Sequence, residues 1–210
     1  LEAAAAGILR SAFGMGGQKC SALSRLYVEA RVADTLIERL RARIAALRIG
    51  DPTRREHWLG PVVNRAAHAA YARYVAELES GGAQLLCGGR QLHDGALARG
   101  WYVEPVLAEA PPGHRLWRQE MFLPILMLQR VRDREQALRL AQCEPGRERL
   151  SRFPGHRDDP LLVALAEHAQ LVAVGVPVAN AQPRELADAQ TGPVEQLEER
   201  AVADRELRRA

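Results

Sequence analysis

Apolar positions along the first two thirds of the chain alternate between a helical rhythm and short continuous runs. Ile8, Leu9, Ala12 and Phe13 share one face of a short amphipathic helix, which Gly14-Met15-Gly16-Gly17 ends. Residues 23–30 predict a strand. Val32, Leu36, Leu40 and Ile44 then recur at i,i+4, with Ile37 and Leu47 widening the stripe, and Gly50-Asp51-Pro52 stops this second helix. After a loop that runs to Gly60-Pro61, Tyr71, Tyr74, Val75 and Leu78 mark a third helix closed by Gly81-Gly82. The run 83–87 predicts a buried strand, residues 101–107 another with Pro105 near its end, and 124–131 a further one. Asp133 is placed to cap the next helix, with Gln136 three residues on as its reciprocal partner. Strands alternating with helices of this length describe an α/β sheet with helices packed on its faces.

Beyond residue 143 the texture changes. Pro145, Gly146, Pro154, Gly155, Asp158, Asp159 and Pro160 stand among arginines and predict a loop or linker over 144–160. A helix over 161–169, a strand over 171–178 and a charged helix or tail over 193–210 follow. Charge adds little: 29 basic and 26 acidic residues leave +3, spread along the chain, so no nucleic-acid partner is expected. The arginines of 147–157 are diluted by Glu144, Glu148, Asp158 and Asp159, as on a solvated loop. No run of 18 apolar residues is present, so no membrane span is expected. The opening Leu1-Glu2-Ala3-Ala4 carries no basic region before an apolar stretch, so no secretory signal is expected. Cysteines at 20, 87 and 143 form neither an even disulfide set nor a metal-finger spacing, which favours a reducing, cytoplasmic setting. The six histidines offer no i,i+4 pair, and no metal site is expected.

The chemistry concentrates at Ser11–Arg25. Among 29 basic residues only Lys19 is a lysine, and it directly precedes Cys20. Glycines let backbone approach a ligand closely, and a cysteine beside a cation and free backbone N–H groups forms thiolate more readily than a buried one. The residues by themselves leave three readings open: a small hydrophobe filling a helix–strand junction, a cysteine hydrolase using one of the histidines, or another thiol nucleophile. Cys87 and Cys143, on apolar faces, are expected to be filler.

The stretch Phe13-Gly-Met-Gly-Gly17-Gln-Lys-Cys20-Ser-Ala resembles the nucleophile motif of the aldehyde dehydrogenase superfamily, and most closely that of 1-pyrroline-5-carboxylate (glutamate semialdehyde) dehydrogenases. Ile49-Gly50-Asp51-Pro52, Leu59-Gly60-Pro61-Val62-Val63, Gly81-Gly82-Ala83 and Gly100-Trp101-Tyr102-Val103-Glu104-Pro105 are similar to later segments of that family, in order. Glu120-Met121-Phe122-Leu123-Pro124 resembles its Glu-x-Phe-Gly-Pro segment, with Leu123 where glycine is usual. The resemblance implies a three-layer α/β catalytic domain with a mostly parallel sheet, and NAD- or NADP-dependent oxidation of a small aldehyde through a thiohemiacetal and a thioester on Cys20. It further implies that Glu120 bonds the nicotinamide ribose, Phe122 packs near that end of the cofactor, and Ser21 holds a substrate carboxylate.

The expected organisation is a catalytic-domain portion over 1–143, the linker 144–160, and a diverged segment 161–210. The family's nucleotide-binding domain, general-base glutamate and oxyanion-hole asparagine lie upstream of the region matched here, and its Tyr-Gly-Leu-Thr segment is not visible after Leu140. Asn180, after Val176-Pro177-Val178-Ala179, is a faint echo of a later family motif. The resemblance therefore implies a truncated domain that is inactive alone. Its expected partner is a second copy or a separate nucleotide-binding polypeptide. The competing expectation is a non-catalytic remnant or interaction module that keeps the fold and the thiol.

Overall fold

Residues 1–142 and 171–174 are described by the structure, a computed structural model. They comprise α1 (Glu2–Phe13), β1 (Arg25–Glu29), α2 (Ala30–Ala45), α3 (Arg65–Ser80), β2 (Gln84–Cys87), β3 (Gln91–Leu92), β4 (Tyr102–Val103), β5 (Val106–Glu109), β6 (Ile125–Val131), α4 (Arg134–Gln142) and β7 (Leu171–Val174). A five-stranded sheet runs in the order β2-β5-β6-β1-β7. All its pairings are parallel except β2 with β5.

The strands are apolar on both faces because helices cover both. Leu26 and Val28 of β1, Leu107 of β5, and Leu126 and Leu128 of β6 point into a core made with Ile8 and Phe13 of α1 and Leu36 and Leu40 of α2. Their alternate neighbours, Tyr27, Val106, Ala108, Ile125 and Met127, point to the other side against Tyr71 and Leu78 of α3 and Ala137 and Ala141 of α4. The period of two along each strand thus becomes a three-layer sandwich.

The helix ends follow their local chemistry. Asn64 accepts the Ala67 N–H at 2.8 Å to start α3, and Asp133 accepts the Gln136 N–H at 2.7 Å to start α4. The Gln136 side chain reaches back, but to the N–H of Arg132, one residue before the cap.

Two expectations change. The run 83–87 is not a buried strand: β2 is the sheet's edge, and its residues are exposed or half-buried. The strand expected over 101–107 is two. Proline has no N–H for a ladder, so the chain breaks at Glu104-Pro105, β4 pairing with β3 in a separate hairpin and β5 joining the main sheet. Of the strand expected over 171–178, Leu171–Val174 forms and lies parallel to β1. The expected linker 144–160, the helix 161–169, residues 175–178, the tail 193–210, Cys143 and Asn180 lie outside the described residues. No helix among the described residues is long and apolar enough to cross a membrane.

Candidate active site

Adjacent parallel strands place the loops that precede them at the same end of a sheet. β1 and β6 are such neighbours, so the turn holding Cys20 and the loop holding Glu120 and Phe122 meet beside each other. The first begins where α1 ends, with the Gly14 N–H donating back to Arg10 O. A 3₁₀ turn over Gly14–Gly17 follows, and Met15, Gly16 and Gly17 have φ of 54°, 66° and 67°. Short bonds close the rest: Gln18 N–H to Met15 O at 3.1 Å, Ala22 N–H to Lys19 O at 3.0 Å and Leu23 N–H to Ser11 O at 3.1 Å. Cys20 and Ser21 stand exposed at the tip of this turn. The side chain of Lys19 curls back, its Nζ lying 3.9 Å from where a Gly14 Cβ would stand.

The second loop is in backbone contact with the first. A Cβ on Gly17 would stand 2.4 Å from the Leu123 carbonyl oxygen. Leu123 is buried, whereas Glu120 is exposed and Phe122 45% exposed. Phe122 has φ 54°, and it and Met15 are the non-glycine residues with positive φ among those described. Bulky side chains in that region are held there at a cost of about 1–3 kcal/mol and cluster at functional sites. Here both sit in the two loops that touch.

A third segment completes the neighbourhood. The N–H of Val63 donates to Gln18 Oε1 at 3.0 Å, and that of Val62 to Trp101 O at 2.9 Å. Met15, Val63 and Phe122, one from each segment, are large apolar side chains left exposed at 77%, 73% and 45%. Exposed apolar residues are ordinary one at a time, and these three stand on segments joined by the contacts above.

The other described thiol is different in kind. Cys87 is half-buried on the edge strand, and burial pushes its pKa up, so it is the less reactive thiolate source. The sequence-predicted residues Cys20, Ser21, Glu120 and Phe122 therefore fall on two touching loops. Gln18 and Val63 fall within motifs of the sequence, but nothing there shows that they tie the cysteine turn to a third segment. Their bond spans 45 residues and needs the fold to form.

The aldehyde dehydrogenase family matches residues 1–145. The 1-pyrroline-5-carboxylate dehydrogenase of Geobacillus kaustophilus is 34% identical over 142 residues, covering 67% of this chain and 27% of that protein. The alpha-ketoglutaric semialdehyde dehydrogenase of Bacillus subtilis is 32% identical over 142 residues, covering 67% of this chain and 29% of its own. In three dimensions, the crystal structure of a 1-pyrroline-5-carboxylate dehydrogenase from Thermus with bound NAD superposes with a TM-score of 0.63 at 34% identity, covering 69% of this chain and 27% of that one. The chain thus spans about a quarter of the length of the curated relatives it matches. With the cysteine turn and the Glu-x-Phe loop inside the shared region and the same sheet beneath them, this chain belongs to the aldehyde dehydrogenase family.

Proposed function

We propose that this chain is the nucleophile-bearing part of an oxidoreductase that converts an aldehyde of the glutamate-semialdehyde type to its carboxylate with NAD or NADP. The observation that carries the reading is an exposed Cys20 on a turn whose backbone abuts the Glu120–Phe122 loop. The names of the relatives, two semialdehyde-type dehydrogenases among them, support the substrate class, and the NAD-bound neighbour supports the cofactor.

In this reading the thiolate of Cys20 adds to the carbonyl carbon, and the oxygen takes up the displaced electron pair. The Cys20 N–H is the donor within this chain for that oxyanion. When bound, the nicotinamide supplies a hydride acceptor for the adduct carbon. Loss of hydride from that carbon leaves a thioester on Cys20, which water cleaves, releasing the carboxylate and returning the thiol. Glu120 and Phe122, exposed on one loop, fit one edge of a nicotinamide-riboside site, and Ser21 beside the nucleophile is the proposed carboxylate donor. These residues supply no cradle for pyrophosphate or adenine. The 210 residues by themselves are therefore proposed to be inactive in aldehyde oxidation.

Two measurements on the full chain test the nucleophile. Competitive iodoacetamide labelling near neutral pH, read by peptide mass spectrometry, should modify Cys20 ahead of Cys87 and Cys143. Hydrolysis of p-nitrophenyl acetate should be slow, since a missing general base removes a factor of ~10²–10⁴, and should vanish in Cys20→Ala but persist in Cys87→Ala. An ester rate untouched by Cys20→Ala, or preferential labelling of Cys87, would sink the reading and favour a non-catalytic module.

A further inference from the structure

We infer that Gln18 is a positioning residue for Cys20, acting through its side-chain hydrogen bond to the backbone of Val63. The inference rests on Cys20 being the reacting thiol. Among the described residues, this 3.0 Å bond is the one hydrogen bond by which residues 18–22 reach another segment. The remaining bonds, Gln18 N–H to Met15 O and Ala22 N–H to Lys19 O, close turns inside the loop. Buried Ala22 anchors the far end, which leaves the half-buried to exposed residues Gln18–Ser21 to rock between Gly17 and Ala22. The Gln18 clamp removes that freedom two residues from the sulfur.

The anchor is itself fixed. Val62 is buried, and its N–H is bound to Trp101 O at 2.9 Å, which restrains the backbone that presents the next N–H. The Val63 side chain is 73% exposed and contributes little packing there, which leaves the main-chain donor as the contact that matters. A displacement of ~1 Å at a reacting group costs about 100-fold in rate, so a tether this close to the thiol sets reactivity without touching substrate. Glutamine has the reach and the acceptor. Glutamate keeps both, whereas methionine keeps the length alone.

The test uses the full chain and three variants: Gln18→Ala, Gln18→Met and Gln18→Glu. Exchange of the Val63 amide, followed by NMR, reads the bond. A nitroxide on Cys20, in a chain with Cys87→Ala and Cys143→Ala, reads the position by its mobility. Thermal unfolding and, in chains that retain Cys87, its resistance to alkylation report whether each variant folds. The expected result is Val63 exchange at least tenfold faster and a several-fold more mobile label in Gln18→Met and Gln18→Ala, with Gln18→Glu restoring both. Exchange within twofold of the parent in folded Gln18→Met, or an unchanged label despite faster exchange, would overturn the clamp. Failure of the nucleophile reading shows elsewhere, as no preference for Cys20 in alkylation of the unaltered chain.

Discussion

At Gly17 a methyl group would meet the Leu123 carbonyl oxygen at 2.4 Å, its carbon at 2.7 Å and the Pro124 nitrogen at 3.0 Å. All three atoms are backbone, so no rotamer change relieves the contact. The φ of 67° adds a separate penalty of about 1–2 kcal/mol for any residue with a Cβ. Gly17→Ala is therefore expected to destabilise the chain by on the order of 2–4 kcal/mol and to part the cysteine turn from the Glu120–Phe122 loop. Gly7 is the contrast, lying inside α1 with nothing within 4 Å of its would-be Cβ. Gly7→Ala should stabilise by about 0.5–1 kcal/mol. Urea unfolding midpoints of the two variants check both signs, and equal behaviour would mean that the loops do not touch as described.

Elements that pack without joining the main sheet rely on side chains at their junctions. The β3–β4 hairpin meets α3 at His68, which is 6% exposed. Gln91 donates from Nε2 to His68 O at 2.8 Å and lies 3.0 Å from the His68 Nδ1. The rings of His93 and Trp101, each 5.4 Å away between centroids, enclose it. Burial holds its pKa below the ordinary 6.5, the Tyr102 backbone opposes that shift, and His93 adds to it. The unfolded chain then binds the proton first as pH falls. The contribution of His68 to stability is accordingly complete above pH 6.5 and declines as pH drops below it toward the lower native value. Urea midpoints at about pH 7.5 and 5.5 should fall more in the parent chain than in His68→Gln, which titrates in neither state. Equal falls would remove His68 from the account.

At the scale of the molecule, the two loops that precede β1 and β6 lie side by side and are proposed as one edge of a nucleotide site, and the residues matched to the curated relatives cover about a quarter of those proteins' length. Phosphate recognition draws on glycine-rich turns and helix N-termini aimed at the anion, and the cysteine turn instead enters a strand. NAD is therefore expected to bind the 210-residue chain with a Kd weaker than about 1 mM, a binding free energy smaller in magnitude than about 4 kcal/mol. Isothermal titration calorimetry measures it directly. A micromolar constant would place nucleotide contacts in residues outside those described.

Much of this architecture was legible in the pattern of residues. Local rules set α1, α2 and α3, because apolar stripes at helical spacing and glycine stops act over a few residues. The same holds for β1 and β6, whose short apolar runs Leu26–Val28 and Ile125–Leu128 match burial on both faces. The cysteine turn was also legible, since motif spacing is a local property. Other features needed the tertiary structure. The run 83–87 is as apolar as a central strand, and only the order of strands makes it an edge. Pro105 was visible in the strand expected over 101–107, but that the chain there leaves one sheet for another depends on partners far away in sequence. Gln136 was placed to cap its helix, yet which N–H its side chain meets depends on how the strand delivers the chain into α4. The tie of Gln18 to Val63 and the press of Gly17 on Leu123 are long-range in the same way. Sequence carries short-range preferences and periodicity, whereas which segments lie side by side is decided by how the strands pair and the helices pack, and the site is made from that proximity.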